Sequence, residues 1–149
     1  MINDDLKLRG DVAIVLKDKD GKVKESREIN NLVVSAGLTY ICSRMADASA
    51  GVMSHMALGS GTTAAAAGDT DLESILGSRE ALDSTSASSN TITYVSSFEA
   101  GEGTGAVTEA GIFNASSSGT MLCRTVFPVV NKQADDTMSV TWTITLTAS

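Results

Sequence analysis

The sequence predicts a mainly β domain, an antiparallel β-sandwich or jelly-roll-like fold with one short α-helix, in which residues 1–149 form a single unit. Three observations carry this expectation. Segments between Asn90 and Thr147 are rich in β-branched residues, mostly alternate with a period near two, and are bounded by Gly, Ser, Asn or Asp. Proline occurs once and glycine 13 times, which suits short strands and tight turns better than a helical bundle. A length of 149 residues is enough to bury one core without disulfides or a metal.

The elements follow in order. Asp11 to Leu16 is apolar at nearly every position, Asp18-Lys19-Asp20-Gly21 interrupts it, and Lys22 to Ile29 continues with charges. This predicts a hairpin turned at Gly21, where positive φ is tolerated. The charges of its second strand, Lys22, Lys24, Glu25, Arg27 and Glu28, suit a sheet edge, because charge discourages unwanted pairing. Ser35 is a good N-cap, and Leu38, Ile41, Cys42 and Met45 at helical spacing predict a helix with that stripe against the sheet. Val52 to Leu58 resumes strand character. Gly59 to Gly68 reads as a long loop of small residues, Asp69 to Leu76 as a helical turn with Leu72, Ile75 and Leu76 inward, and Arg79 to Ser84 as a strand. Ser84 to Asn90 reads as a flexible turn. The segments Asn90–Phe98, Thr108–Asn114, Thr120–Pro128 and Met138–Leu146 predict an antiparallel meander. In the last, Val140, Trp142, Ile144 and Leu146 share a core face opposite a row of threonines.

A formal net charge of −7 argues against binding a phosphate backbone, so no nucleic-acid partner is expected. The charge is uneven. Between Asp47 and Glu109 the only basic residue is Arg79, while Asp47, Asp69, Asp71, Glu73, Glu80, Asp83, Glu99, Glu102 and Glu109 crowd the same stretch. Cys42 and Cys123 lie in no metal-ligand spacing and predict buried free thiols in a reducing compartment. No apolar run reaches the length of a membrane span, and the N-terminus has no signal-like core, so a soluble chain without a membrane partner is expected.

Candidate chemistry is thin. Gly59-Ser-Gly-Thr-Thr lacks the lysine and spacing of a phosphate loop, and Asp18-Lys-Asp-Gly lacks the remaining ligands of a calcium loop. His55 is the only histidine, and nothing around Cys123 indicates an activated nucleophile. The sequence therefore predicts no catalytic residue, no cofactor and no metal site. Arg79, the one cation of the acidic middle, predicts a partly buried structural ion pair with Glu109, whose neighbours Ala110, Gly111, Ile112 and Phe113 are small or apolar.

Taken as a set, Arg9-Gly-Asp-Val-Ala-Ile-Val-Leu-Lys-Asp, Asn31-Leu-Val-Val-Ser-Ala-Gly-Leu, Met56-Ala-Leu-Gly-Ser-Gly-Thr, Asp71-Leu with Arg79, Thr108-Glu-Ala-Gly-Ile-Phe-Asn, Gly119-Thr-Met-Leu-Cys-Arg-Thr-Val-Phe-Pro and the Trp142 strand resemble small structural proteins of tailed bacteriophages. Related patterns occur in capsid decoration (cement) proteins and in tail-fibre or baseplate attachment domains. The resemblance implies a non-enzymatic virion component, made in the host bacterial cytoplasm. On this reading it binds the outer capsid surface, with the major capsid protein and further copies of itself, as a trimer, for partners. The alternatives are a tail, baseplate or fibre adaptor and, from the β-sandwich class alone, a carbohydrate-binding module. The candidate contacts are Met1, Ile2, Leu6 and Leu8 in an extended arm spanning residues 1–8, and Ser60, Thr62 and Thr63 in the small-residue loop; both segments are expected to order on binding.

Overall fold

The computed structural model describes residues 6–46 and 50–148. They form β1 (Leu6–Lys17), β2 (Val23–Val33), α1 (Ser35–Ala46), β3 (His55–Gly59), β4 (Glu80–Ala81), β5 (Ser84–Ser88), β6 (Thr91–Phe98), β7 (Gly105–Phe113), β8 (Met121–Lys132) and β9 (Thr137–Ala148). The strands make one antiparallel sheet in the order β4-β3-β7-β8-β2-β1-β9-β6-β5. It curls so that β1, β6 and β9 face β3, β7 and β8 across a shared core containing Val12, Ile14, Phe98, Trp142, Leu58 and Ile112. The domain is thus mainly β with one short helix.

Local chemistry explains most elements. The β1–β2 hairpin forms as expected, and Asp18 closes its turn by accepting from the backbone N–H groups of Asp20 and Lys22, both at 2.9 Å. This Asx-type bonding is what short acidic side chains supply at turns. In β9, Val140, Trp142 and Ile144 are buried and the intervening threonines are partly exposed, the alternation that a two-faced strand requires.

The order of strands corrects the expected meander. β7 and β8 are neighbours, but β6 pairs with β5 and β9, so the chain crosses between the two halves at β6–β7 and again at β8–β9. The hairpin's second strand is not a sheet edge either. β2 lies inside the order, yet it pairs with β8 only at Leu32 and Val33, opposite Arg124 and Cys123. Beyond that point side chains lace the seam. Arg27 donates to the carbonyls of Pro128 and Val129, Thr125 to that of Asn30, and the Lys24 ammonium meets Asp136 at 2.7 Å. The charges of β2 therefore serve a line where the backbone ladder has parted.

Three further expectations change. Residues 69–76 are bends and irregular backbone rather than a helical turn; Leu72 is buried, but Ile75 is exposed and bridges to Gly59. The Ser-rich stretch after Asp83 is a strand, β5, held by β6. Finally, α1 turns a different face to the sheet. Leu38, Cys42 and Met45 are exposed, so Cys42 is not the buried thiol expected, whereas Cys123 is buried. Gly37 is the buried helical residue, and a Cβ placed on it would lie 2.1 Å from the Leu122 carbonyl oxygen. The helix seats where its backbone can come closest to β8, which a count of apolar side chains does not detect.

Candidate functional site

The region of interest is the loop after β3. In the half formed by β3, β7 and β8, both faces are covered: the inner by the shared core, the outer by residues 60–79, with Leu72 packed in a second cluster with Ala57, Phe113 and Met121. Beneath that covering lies Glu109, fully buried on β7. One of its carboxylate oxygens accepts from the backbone N–H groups of Gly61 (2.9 Å) and Ser74 (2.8 Å). The other accepts from the Glu73 N–H (3.1 Å) and from Arg124 Nε (2.9 Å). Close approach to this carboxylate explains the glycines here, because a Cβ on either Gly59 or Gly61 would lie 2.5 Å from Glu109 Oε1.

Arg124 extends the network outward. Its guanidinium donates to Asp69 (2.8 Å) and to the Thr63 carbonyl (3.0 Å), and it stands 3.7 Å from Glu73. The planar fork suits several acceptors at fixed angles, a geometry lysine cannot reproduce. The Ala66 N–H, and with it the Arg124 guanidinium, hold the Asp69 carboxyl below its ordinary value against the opposing effect of desolvation. Thr63 N–H bonds Glu73 at 3.0 Å, Ser60 N–H bonds the Ser74 carbonyl at 2.8 Å, and Thr108 donates to the Gly61 carbonyl at 2.7 Å. Residues 60–74 are thus bonded to β7, to β8 and to each other.

The expected ion pair is corrected accordingly: Glu109 pairs with Arg124, not with Arg79. Arg79 donates to the carbonyls of Ala115 (3.0 Å) and Ser118 (2.7 Å), approaches Asp71 at 3.5 Å and lies 3.6 Å above the Phe113 ring. It clamps the turn between β7 and β8, partly through attraction of a cation to the aromatic face. Arg124 was missed, although its place among Met121, Leu122, Cys123 and Phe127 was a signal, since a charge inside an apolar strand calls for a buried partner.

The candidate contacts divide. Met1 and Ile2 lie outside the described residues. Leu6 and Leu8 are not part of a free arm: they belong to β1 and pair with Ala148 and Leu146, Leu6 exposed and Leu8 packed against the core. Ser60, Thr62 and Thr63 sit on the anchored loop, with Thr62 and Thr63 exposed. That loop is ordered within the chain itself, contrary to the expectation that it orders on binding.

Burial pushes the Cys123 thiol well above its ordinary value, the opposite of nucleophile activation. His55 shares a 2.7 Å hydrogen bond with the neighbouring Ser54 hydroxyl. Among the described residues no cluster of three His, Cys, Asp or Glu side chains could hold a metal ion, and no helix is long and apolar enough to cross a membrane.

A second polar site closes the seam between β2 and β8. Asp136, almost fully buried, meets Lys24 and accepts from the Gln133 N–H at 2.8 Å, and these bonds lower its pKa, Lys24 contributing most. Because Asp136 and Asp69 are both depressed in the folded chain, the stability they contribute is complete above the ordinary aspartate range, about pH 4, and is lost as pH falls through their lowered values. Urea midpoints should therefore fall on acidification. Asp136→Asn should lower the midpoint at neutral pH and flatten this fall; an equally steep fall in the variant would remove Asp136 from the acid response.

No protein-family model matches the chain, and neither the search of characterised proteins nor that of solved structures found a significant match.

Proposed function

We propose that this chain is a virion structural protein of a tailed bacteriophage, which decorates the outer surface of the assembled head as a symmetric homo-oligomer and clamps neighbouring capsid subunits. The sequence resemblance supplies the class of protein. The observation that carries the reading furthest is the buried Glu109–Arg124 network, which fixes the exposed Thr62 and Thr63 of the loop before any partner arrives. A preformed surface loses less conformational freedom on docking than a loop that must order, so a small patch can contribute useful affinity. Repetition over a symmetric shell then multiplies a modest contact through avidity.

The test is the copy number of this protein relative to the major capsid protein in purified virions, measured by quantitative mass spectrometry. Copies comparable to the capsid subunits are the expected result. A count of a few to a few tens per particle would overturn decoration and move the protein to the tail, baseplate or fibre attachment site. The exposed lysines of the first hairpin, Lys7, Lys17, Lys19 and Lys22, provide an orienting charge toward an acidic shell, so binding to heads should weaken as salt rises.

A further inference from the structure

The exposed backbone edges of this sheet are finished differently. β4 is only two residues long and carries Glu80, and the part of β2 that leaves β8 is charged and laced by Arg27 and Lys24. These are ordinary protections against edge-to-edge pairing. β5 has none of them. It runs Ser84-Thr85-Ser86-Ala87-Ser88 at the outer edge of the order, all exposed, in unbroken register with β6, with no charge, proline or bulge. We propose that β5 is a homophilic docking edge, pairing antiparallel with β5 of a second copy about a two-fold axis at Ser86.

A second copy fits this edge for electrostatic reasons. The chain carries a net charge of −7, so most of its faces repel a copy, but an uncharged strand can lie against itself. Centred on Ser86, the register sets Ser84 opposite Ser88 and Thr85 opposite Ala87 of the copy. The nearest charge along the sequence, Asp83, is three residues from the axis. The two Asp83 carboxylates are then separated by six residue rises, roughly 20 Å, well beyond the screening length of about 8 Å at physiological salt.

Apolar surface borders the same edge. Thr85 forms one wall of a groove of about 400 Å³ whose other walls include Tyr40, Ile41, Val52, Ile92 and Leu146. Pairing at β5 brings this groove side of each strand against its counterpart, so the apolar strip continues across the axis. The edge supplies main-chain hydrogen bonds and the bordering surface supplies shape, the division of labour seen in strand addition generally. The contact gives dimers, not the trimer expected from the resemblance, and it is independent of what the protein binds.

The test places a cysteine at the axis. In a Cys42→Ser background, which removes the exposed native thiol, Ser86→Cys brings two Cα atoms to the separation of directly opposed antiparallel residues, about 4.5–5.5 Å, within disulfide reach. Mild oxidation should give covalent dimers at least about tenfold faster than Ser117→Cys, a control in an exposed turn in the same background. In sedimentation experiments the native chain should form dimers, and Ser86→Lys should weaken them about tenfold or more by setting two like charges face to face. A native chain that stays monomeric up to about 1 mM, crosslinking no faster than the control, or an oligomer indifferent to Ser86→Lys would overturn the proposal.

Discussion

Replacing Glu109 by alanine is expected to destabilise the fold by about 3–5 kcal/mol in urea titrations, because it leaves a buried guanidinium without its one fully buried counter-charge. It also strips the acceptor from the N–H groups of Gly61, Glu73 and Ser74. Arg124→Ala should cost less. The carboxylate would keep those three donors, and Asp69 could turn toward water. Hydrogen exchange distinguishes a local staple from a general loss of stability: in Glu109→Ala the amides of Gly61 and Ser74 should lose protection ahead of those in β1 and β9. Unchanged protection at Gly61 and Ser74 would show that the loop is held by something else. The same variant bears on the proposed head contact, since a released loop should bind heads more weakly even where the sheet remains folded.

Trp142→Ala should be comparably severe, about 3–5 kcal/mol, since the indole is fully buried between Val12 of β1 and Tyr94 of β6 and its removal leaves a large cavity. Trp142→Phe should cost much less, about 1–2 kcal/mol. The phenyl ring keeps most of the packing, and the indole N–H it removes has no hydrogen-bond partner among the described residues. Guanidinium midpoints of the two variants provide the comparison. Equal losses would mean that the N–H contributes a bond of its own.

These two sites differ in how far they were legible. The burial of Trp142 follows from alternation along a single strand, which any correct strand assignment fixes. Glu109 was read as partly buried from its small or apolar neighbours Ala110 to Phe113, but its partner depends on which strand lies beside β7 and in what register. Glu109 faces Val126, two residues from Arg124 along β8, and a register shift between Val107 and Glu109 sets that diagonal. No local pattern encodes it. The short link from Phe98 to Gly105 resembles a hairpin, yet the chain uses it to cross from one half of the sheet to the other. β5 was unreadable for a different reason: a serine-rich segment has little strand propensity of its own, and pairing along β6 overrides it. The helix was found but turned wrongly, because its contact with β8 rests on a residue without a side chain.

The pairing of β1 with β9 has a consequence for how the protein is made. Leu6 lies opposite Ala148, and Lys17 opposite Thr137, so the first strand waits for almost the whole chain before it gains that neighbour. During synthesis the β1–β2 hairpin can form, but β1 keeps one backbone edge unpaired until residues 137–148 have left the ribosome. Closing so long a loop delays folding, and a hairpin with an unpaired strand edge is open to misassociation in the interval. Yield in the cell should therefore depend on how quickly the last strand follows the first, with dependence on chaperones concentrated in that window.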